Sequence, residues 1–205
     1  VSEMLAHTGA NTHRLPKSVL VIGDFDGLVT YELSRHVDID TITRLQSRAC
    51  ELDLSGNEKC TLVTQESVAF LSDCKEDSYD LVIVTQDIGD PLFDTVFMGL
   101  INRVLDSKGV LIMHGPNAVH DEATFEDLLI KLQDHFPIIM PSFFMQSSGS
   151  DTLVLASKKY HPTADLILQR GDLVEGLQYY NCDLHLASFA QPEFVKKRFA
   201  GIILN

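Results

Sequence analysis

The stretch that most constrains this chain is VLVIGDFDGLVTYEL, Val19 to Leu33. Four apolar residues lead into a turn bracketed by Gly23 and Gly27, and a helical pattern follows. A strand, tight turn and helix in that order build parallel α/β sheets, with the turn beyond the strand's carboxyl end, where ligands approach the backbone. Here the turn also carries Asp24, Phe25 and Asp26. Both carboxylates would repel a pyrophosphate and cancel the attraction of the helix end, so ordinary dinucleotide binding is disfavoured. A ligand bearing an ammonium or sulfonium group would gain from them. The structural alternative is that one of the two acids caps the helix.

The rest of the chain repeats the α/β alternation. Strands are expected at Ser18–Ile22, Thr41–Leu45, Cys60–Val63, Leu81–Val84 and Val110–Met113, and helices at Leu28–His36, Ser67–Ser72, Asp94–Leu105 and Asp121–His135. Asp121 has the chemistry of an N-cap. The run Asp106–Gly109 reads as a helix stop with Gly109 as its C-cap. After Pro137 the pattern changes to two strands, Ile138–Met145 and Thr152–Ser157, joined by a polar turn. The tail from Pro162 reads as two helices around a loop at Tyr179–Cys182. The expected architecture is an α/β, mostly parallel sheet ending in an antiparallel pair.

With 205 residues, 45% of them hydrophobic, and no linker or biased tract, residues 1–205 read as a single domain. The net charge of −13 repels nucleic acid and anionic lipid and concentrates cationic ligands. Cys50, Cys60, Cys74 and Cys182 form no C-x-x-C pair, which fits reduced thiols in the cytoplasm and argues against a metal site. No apolar run is long enough to span a membrane. The chain begins at Val1, so it is expected to be the remainder of a longer protein.

Four segments fall at the expected carboxyl edge: Gly23–Gly27, Arg44–Arg48, Thr64–Ser67 and Thr85–Pro91. Nucleoside-binding sheets place an acid after strand two. This chain has Gln46, which both donates and accepts hydrogen bonds. Gln65 after strand three could read a base edge. Asp87 and Asp90 after strand four could act as general bases in a partly dehydrated cleft. His114, closing strand five, reads as a core or rim histidine. No G-x-S-x-G elbow or H-E-x-x-H pair occurs, which disfavours hydrolase chemistry.

The tail LQYYNCDLHLASFAQPEFVKK, Leu177 to Lys197, resembles the spermidine synthase signature L-x-Y-Y-N-x-x-x-H-x-A-x-F-x-x-P-x-F. SEMLAH, Ser2 to His7, resembles the family's H-E-M-L-x-H segment. VLVIGDFDGLVTYELSRH is similar to its V-L-I-I-G-G-G-D-G-G-x-x-R-E stretch, with Gly23, Asp26, Gly27 and Glu32 in place. YDLVIV followed by an Asp-Pro resembles strand four and the catalytic loop. The family's small N-terminal β domain has no counterpart.

The resemblance implies a methyltransferase-like Rossmann sheet and an aminopropyltransferase with no cofactor. Decarboxylated S-adenosylmethionine is the co-substrate and putrescine the acceptor, giving spermidine and methylthioadenosine. It implies a cytoplasmic homodimer without nucleic-acid or membrane partners. Asp26 matches the aspartate that holds the donor's amine, and Gly23, Gln46, Gln65 and Gln86 fall at donor-binding positions. In the catalytic D-S/T-S/T-D-P the first acid falls at Thr85, so either Asp87 or Asp90 takes its place or the base is gone, with Asp90 also facing putrescine. The tyrosine of the T-Y-P-S-G-Q turn falls at Gln146. Some ε-proteobacterial members are altered similarly, and the chain resembles that branch most. The alternatives are a non-catalytic paralogue that binds or regulates, and a methyltransferase on the same sheet.

Overall fold

In a computed structural model, the structure describes residues 1–47, 56–85, 94–146 and 149–205. Seven strands form one sheet: β1 (Ser18–Ile22), β2 (Thr41–Gln46), β3 (Cys60–Thr64), β4 (Tyr79–Val84), β5 (Leu105–Gly115), β6 (Ile138–Gln146) and β7 (Gly149–Ser157). Their order is β3-β2-β1-β4-β5-β7-β6. The first five run parallel, and β7 pairs antiparallel with both β5 and β6. This is the methyltransferase-like Rossmann sheet.

Alternation along the central strands sorts the core into two layers. Leu20, Ile22, Val82, Val84, Leu111 and Met113 pack on one face with Phe97 and Ile101 of α4 (Thr95–Val104) and Phe125 of α5 (Glu122–Gln133). Val19, Val21, Leu81, Ile83, Val110 and Ile112 pack on the other, with Met4 and Leu5 of α1 (Ser2–Thr12) and Val29 and Leu33 of α2 (Leu28–Ser34).

Every residue of α1 from Met4 to Thr12 is buried, and the tail holds the helix at both ends. Glu3 accepts the backbone N–H groups of Gln178 at 3.0 Å and of Tyr179 and Tyr180 at 2.8 Å. Burial alone would raise its carboxyl, but the three amides and His7 outweigh that and hold it below its ordinary value. At the other end the buried Arg170 guanidinium donates to the carbonyls of Ala10, His13 and Arg14 and pairs with Asp38. A guanidinium there meets the carbonyls the helix leaves unpaired. This helix was not among those expected from periodicity, because an element buried all round carries no amphipathic stripe.

Two local expectations are corrected. Gly109 does not cap a helix: α4 ends at Leu105 in extended conformation, and β5 already starts there. Residues 106–109 form an irregularity between the pairs Tyr79–Leu105 and Leu81–Val110. A Cβ on Gly109 would lie 2.7 Å from that of Leu105, so close approach is what requires glycine. The tail forms three short helices rather than two: α6 (Leu168–Asp172), α7 (Cys182–Ser188) and α8 (Glu193–Arg198). The intervening α3 spans Ser67–Asp73. Asp121 does sit at the N-cap of α5, but its carboxylate accepts the Thr124 hydroxyl at 2.6 Å rather than a backbone amide.

Candidate active site

The chain runs from β1 outward to β2 and β3, then crosses back to β4 on the other side of β1. Ligands of open α/β sheets bind at such a reversal, beyond the strands' carboxyl ends. A cleft of about 300 Å³ opens there, lined by Gly23, Asp24, Phe25, Asp26 and Val29 of the first turn and helix, by Thr85, and by Val1, Ser2 and Leu5. Gly23 and Gly27 both have positive φ, +85° and +76°, which makes the turn affordable only with glycine at these positions. The amide of Gly23 donates to the Leu45 carbonyl at 3.0 Å and that of Thr85 to the Ile22 carbonyl at 3.0 Å, locking the three strand ends together.

The two acids of the turn separate into different roles. Asp24 is buried and accepts the amides of Val29 at 3.2 Å and Thr30 at 2.8 Å, together with the Thr30 hydroxyl. It is the helix cap. Burial pushes its carboxyl above the ordinary value, against the pull of Thr30 and Arg44. Arg44, itself buried on β2, donates through Nε to the Asp24 carbonyl at 2.8 Å, with Asp24 Oδ2 at 3.7 Å. Asp26 is exposed on the cleft rim, where Oδ1 accepts the Leu28 amide at 3.0 Å. Its other oxygen leaves acceptor capacity for a cation.

Gln46 closes β2 with its side chain 1% exposed, and neither its amide nitrogen nor its oxygen has a hydrogen-bond partner. Leaving buried polar atoms unpaired costs about 1–3 kcal/mol each. Gln65, half-buried after β3, donates its backbone amide to the Gln46 carbonyl at 3.1 Å, so the two glutamines stand side by side at the sheet edge. The neighbouring Glu66 is spent on capping α3 through the amides of Val68 and Ala69. Gln146 closes β6 and donates to Asp151 Oδ2. Asp151 in turn accepts from His114 Nε2 at 2.6 Å. Gln86, Asp87 and Asp90 lie outside the described residues. The fold therefore brings Gly23 and Asp26 together with Thr85 in the cleft, sets Gln46 and Gln65 on one side of it, and places Gln146 beyond β5.

Sequence reasoning missed Arg44 and Asp151. Each had a signal: a cation inside the strand TITRLQ demands a buried acid, and an acid opening the apolar run DTLVLA demands a donor.

Among the described residues, His13, Asp80 and Asp106 bring potential metal-ligand atoms within 4.8 Å of one another, at the opposite, amino-terminal edge of the sheet. His13 Nδ1 accepts the Leu15 amide at 3.2 Å, which puts the ring proton on Nε2. Asp80 accepts the Lys17 and Ser18 amides at 2.8 Å. These groups join the end of α1 to β1 and β4.

The comparisons with known proteins agree with this geometry. The family model described as the spermine/spermidine synthase domain matches residues 1–165. The chain belongs to the spermine/spermidine synthase family. A polyamine aminopropyltransferase of Clostridium beijerinckii is 30% identical over 227 aligned positions, covering 98% of this chain and 78% of that protein. The spermidine synthase crystal structure from Thermotoga maritima superposes with a TM-score of 0.84 at 26% identity, over 96% of this chain and 72% of that one. A spermidine synthase in complex with the transition state analogue AdoDATO gives a TM-score of 0.85 at 25% identity, covering 96% and 73%.

Family membership also explains where its recognition residues go. Tyr180 accepts from Asn11 and donates to His185 Nδ1, each at 2.8 Å, and His185 Nε2 donates to the Pro162 carbonyl at 2.9 Å. Asn181 caps α7 through the Leu184 amide. The His7 of SEMLAH meets the Glu32 of the first motif at 3.1 Å and His36 at 2.8 Å. The contacts of His7, Glu32, Tyr180, Asn181 and His185 thus clasp α1, α2 and the tail together, whereas the cleft is lined by other residues of the same motifs, Ser2, Leu5, Gly23 and Asp26 among them.

Proposed function

We propose that this chain transfers the aminopropyl group of decarboxylated S-adenosylmethionine to putrescine, giving spermidine and methylthioadenosine. The observation that carries this reading is the division of labour in the first turn: Asp24 caps the helix, which leaves Asp26 on the rim of the switch-point cleft for the donor's ammonium. The unpartnered amide of Gln46 at the end of β2 suits ribose hydroxyls, which can accept from its nitrogen and donate to its oxygen. Gln65 beside it and Gln86 stand for the adenine end, and Gly23 lets the backbone approach the donor. Both substrates are dications, and the net charge of −13 draws them in.

Transfer needs a deprotonated acceptor amine aligned with the carbon beside the sulfonium. Asp87 and Asp90 are the acids that the sequence pattern offers for holding and deprotonating that amine, with Gln146 bordering the acceptor side. No cofactor takes part in such a transfer. Among the described residues, no helix is long and apolar enough to cross a membrane. We read residues 1–205 as one catalytic domain acting in the cytoplasm as a homodimer.

The test is to incubate the protein with decarboxylated S-adenosylmethionine and putrescine and to quantify methylthioadenosine and spermidine. Stoichiometric appearance of both supports the reading. Donor binding without turnover on any diamine would favour the non-catalytic paralogue.

A further inference from the structure

We infer that His7 and His36 form a pH-sensitive latch that holds α1 against α2 and so keeps one wall of the cleft in place. The latch belongs to the wall itself, whatever ligand the cleft takes. Both rings are buried, and His7 Nδ1 lies 2.8 Å from His36 Nε2, while His7 Nε2 lies 3.1 Å from Glu32 Oε2. Glu32 also accepts from Arg35, and a carboxylate only accepts, so the His7 proton sits on Nε2. His7 Nδ1 is then bare and takes its hydrogen from His36 Nε2. That leaves His36 Nδ1 as a bare, buried nitrogen with no hydrogen-bond partner. The line runs one way, each ring donating toward Glu32.

An added proton has no place in this packing. On His7 Nδ1 it would meet the His36 Nε2–H head on. On His36 Nδ1 it would create a buried N–H with no acceptor. Burial is the leading effect at both rings, lowering the pKa of His7 and taking that of His36 down to about 3. The charges around the pair divide unevenly. His7, Arg170 of α6, Arg35 at the end of α2 and Lys59 before β3 all disfavour a cation on His36, and Lys59 Nζ donates to the His36 carbonyl at 2.8 Å. Asp38, the nearest acid in sequence, is engaged by Arg170. Glu32 and Glu3 favour a cation on His7, against Arg35. From the tail comes only the neutral ring of Tyr180, its centroid 5.2 Å from that of His7.

The same two helices build the cleft. Ser2 and Leu5 of α1 and Val29 of α2 line it, and the latch joins the helices a few residues further along each. Protonation has to part α1 from α2, and parting them removes that wall. The rings are neutral while the latch is closed and take protons near pH 6.5 once exposed. Closure is therefore complete above pH 6.5 and weakens as pH falls, by up to about tenfold per pH unit for each ring.

Native-state hydrogen exchange of the full chain between pH 7 and 5 tests the latch, read as protection relative to free amides at each pH. Amides of α1 and α2 should be at least about tenfold less protected than those of β1 and β4 at pH 5, because they open apart from the sheet. Their protection should fall by up to about 10²-fold per pH unit in the parent and about tenfold per unit in His36→Gln, which keeps a donor for His7. Methylthioadenosine at about 100 times its Kd should restore α1 protection at pH 5 by about 10²-fold. Protection of α1 that does not change with pH, that equals the sheet's at pH 5, or that falls as steeply in His36→Gln overturns the latch. Should the variant not fold, the comparison of α1 with the sheet in the parent still decides. Bound methylthioadenosine that leaves α1 unchanged overturns the link to the cleft. Failure to bind it counts against the transfer reading instead, and the pH profile of exchange still judges the latch.

Discussion

Arg44 on β2 reaches the backbone carbonyl of Asp24 in the β1–α2 turn, 2.8 Å from its Nε, and both residues are almost wholly buried. The family's turn is rich in glycine, and here two charged residues hold its shape in place of that freedom. Breaking one side of a buried pair costs about 3–5 kcal/mol, because the other charge stays behind. Arg44→Met and Asp24→Gly should each lower stability by about that amount. The double variant should cost less than their sum by about 1–3 kcal/mol, as coupled neighbours do. Urea denaturation of the three variants checks the coupling.

Asp26 makes a different prediction, because it is exposed. Asp26→Asn keeps an oxygen for the Leu28 amide and should change stability by less than about 0.5 kcal/mol. It should weaken binding of decarboxylated S-adenosylmethionine by about tenfold, while methylthioadenosine, which lacks the ammonium, binds as before. Calorimetry with the two ligands separates the charge effect from any distortion of the turn. Equal weakening of both would remove Asp26 from the donor's amine.

The empty amide of Gln46 sets stability against binding. Gln46→Leu removes two unpaired buried polar atoms at similar volume and should stabilise the unliganded protein by about 1 kcal/mol. The same variant should bind methylthioadenosine at least tenfold more weakly. A thermal-shift series with and without methylthioadenosine reads both effects.

Acid should unfold this protein early. Burial lowers the pKa of His7, although Glu32 pulls the other way, and lowers His36 to about 3 and His185 to about 4. These rings stay neutral in the fold while the unfolded chain protonates them near pH 6.5. Their contribution is therefore complete above pH 6.5 and is lost as pH falls toward 4. The slope reaches about 1.4 kcal/mol per pH unit for each histidine involved. Urea midpoints between pH 7 and 5 should fall accordingly. His36→Gln, which keeps a donor for His7, should flatten the slope.

The strands were readable because apolar runs bounded by turn residues carry their own signal, and five of the seven begin within two residues of where the pattern puts them, while β7 begins three residues earlier, at Gly149. β5 starts earlier than the sequence indicates because Asp106–Gly109 looks like a helix stop when read locally. Only the pairing of Tyr79 with Leu105 shows it belongs to the sheet. The same limit governs the site. Which of Asp24 and Asp26 caps the helix depends on burial under Arg44, a residue 20 positions away. The His114–Asp151 contact spans 37 positions and exists only because β7 returns antiparallel beside β5.

The grip of the tail on α1 has a consequence for how the chain folds. Glu3 is held by amides up to 177 residues away and the carbonyls of Ala10 and His13 by an arginine about 160 residues away, so neither end of α1 is finished until the last fifth of the chain is available. On a ribosome α1 would emerge long before the segment that docks it, with its apolar surface exposed in the meantime. Contacts of such separation make folding slow relative to the domain's size. They also make loss of the final helices a loss of the first one, and with it the cleft wall that Ser2 and Leu5 supply.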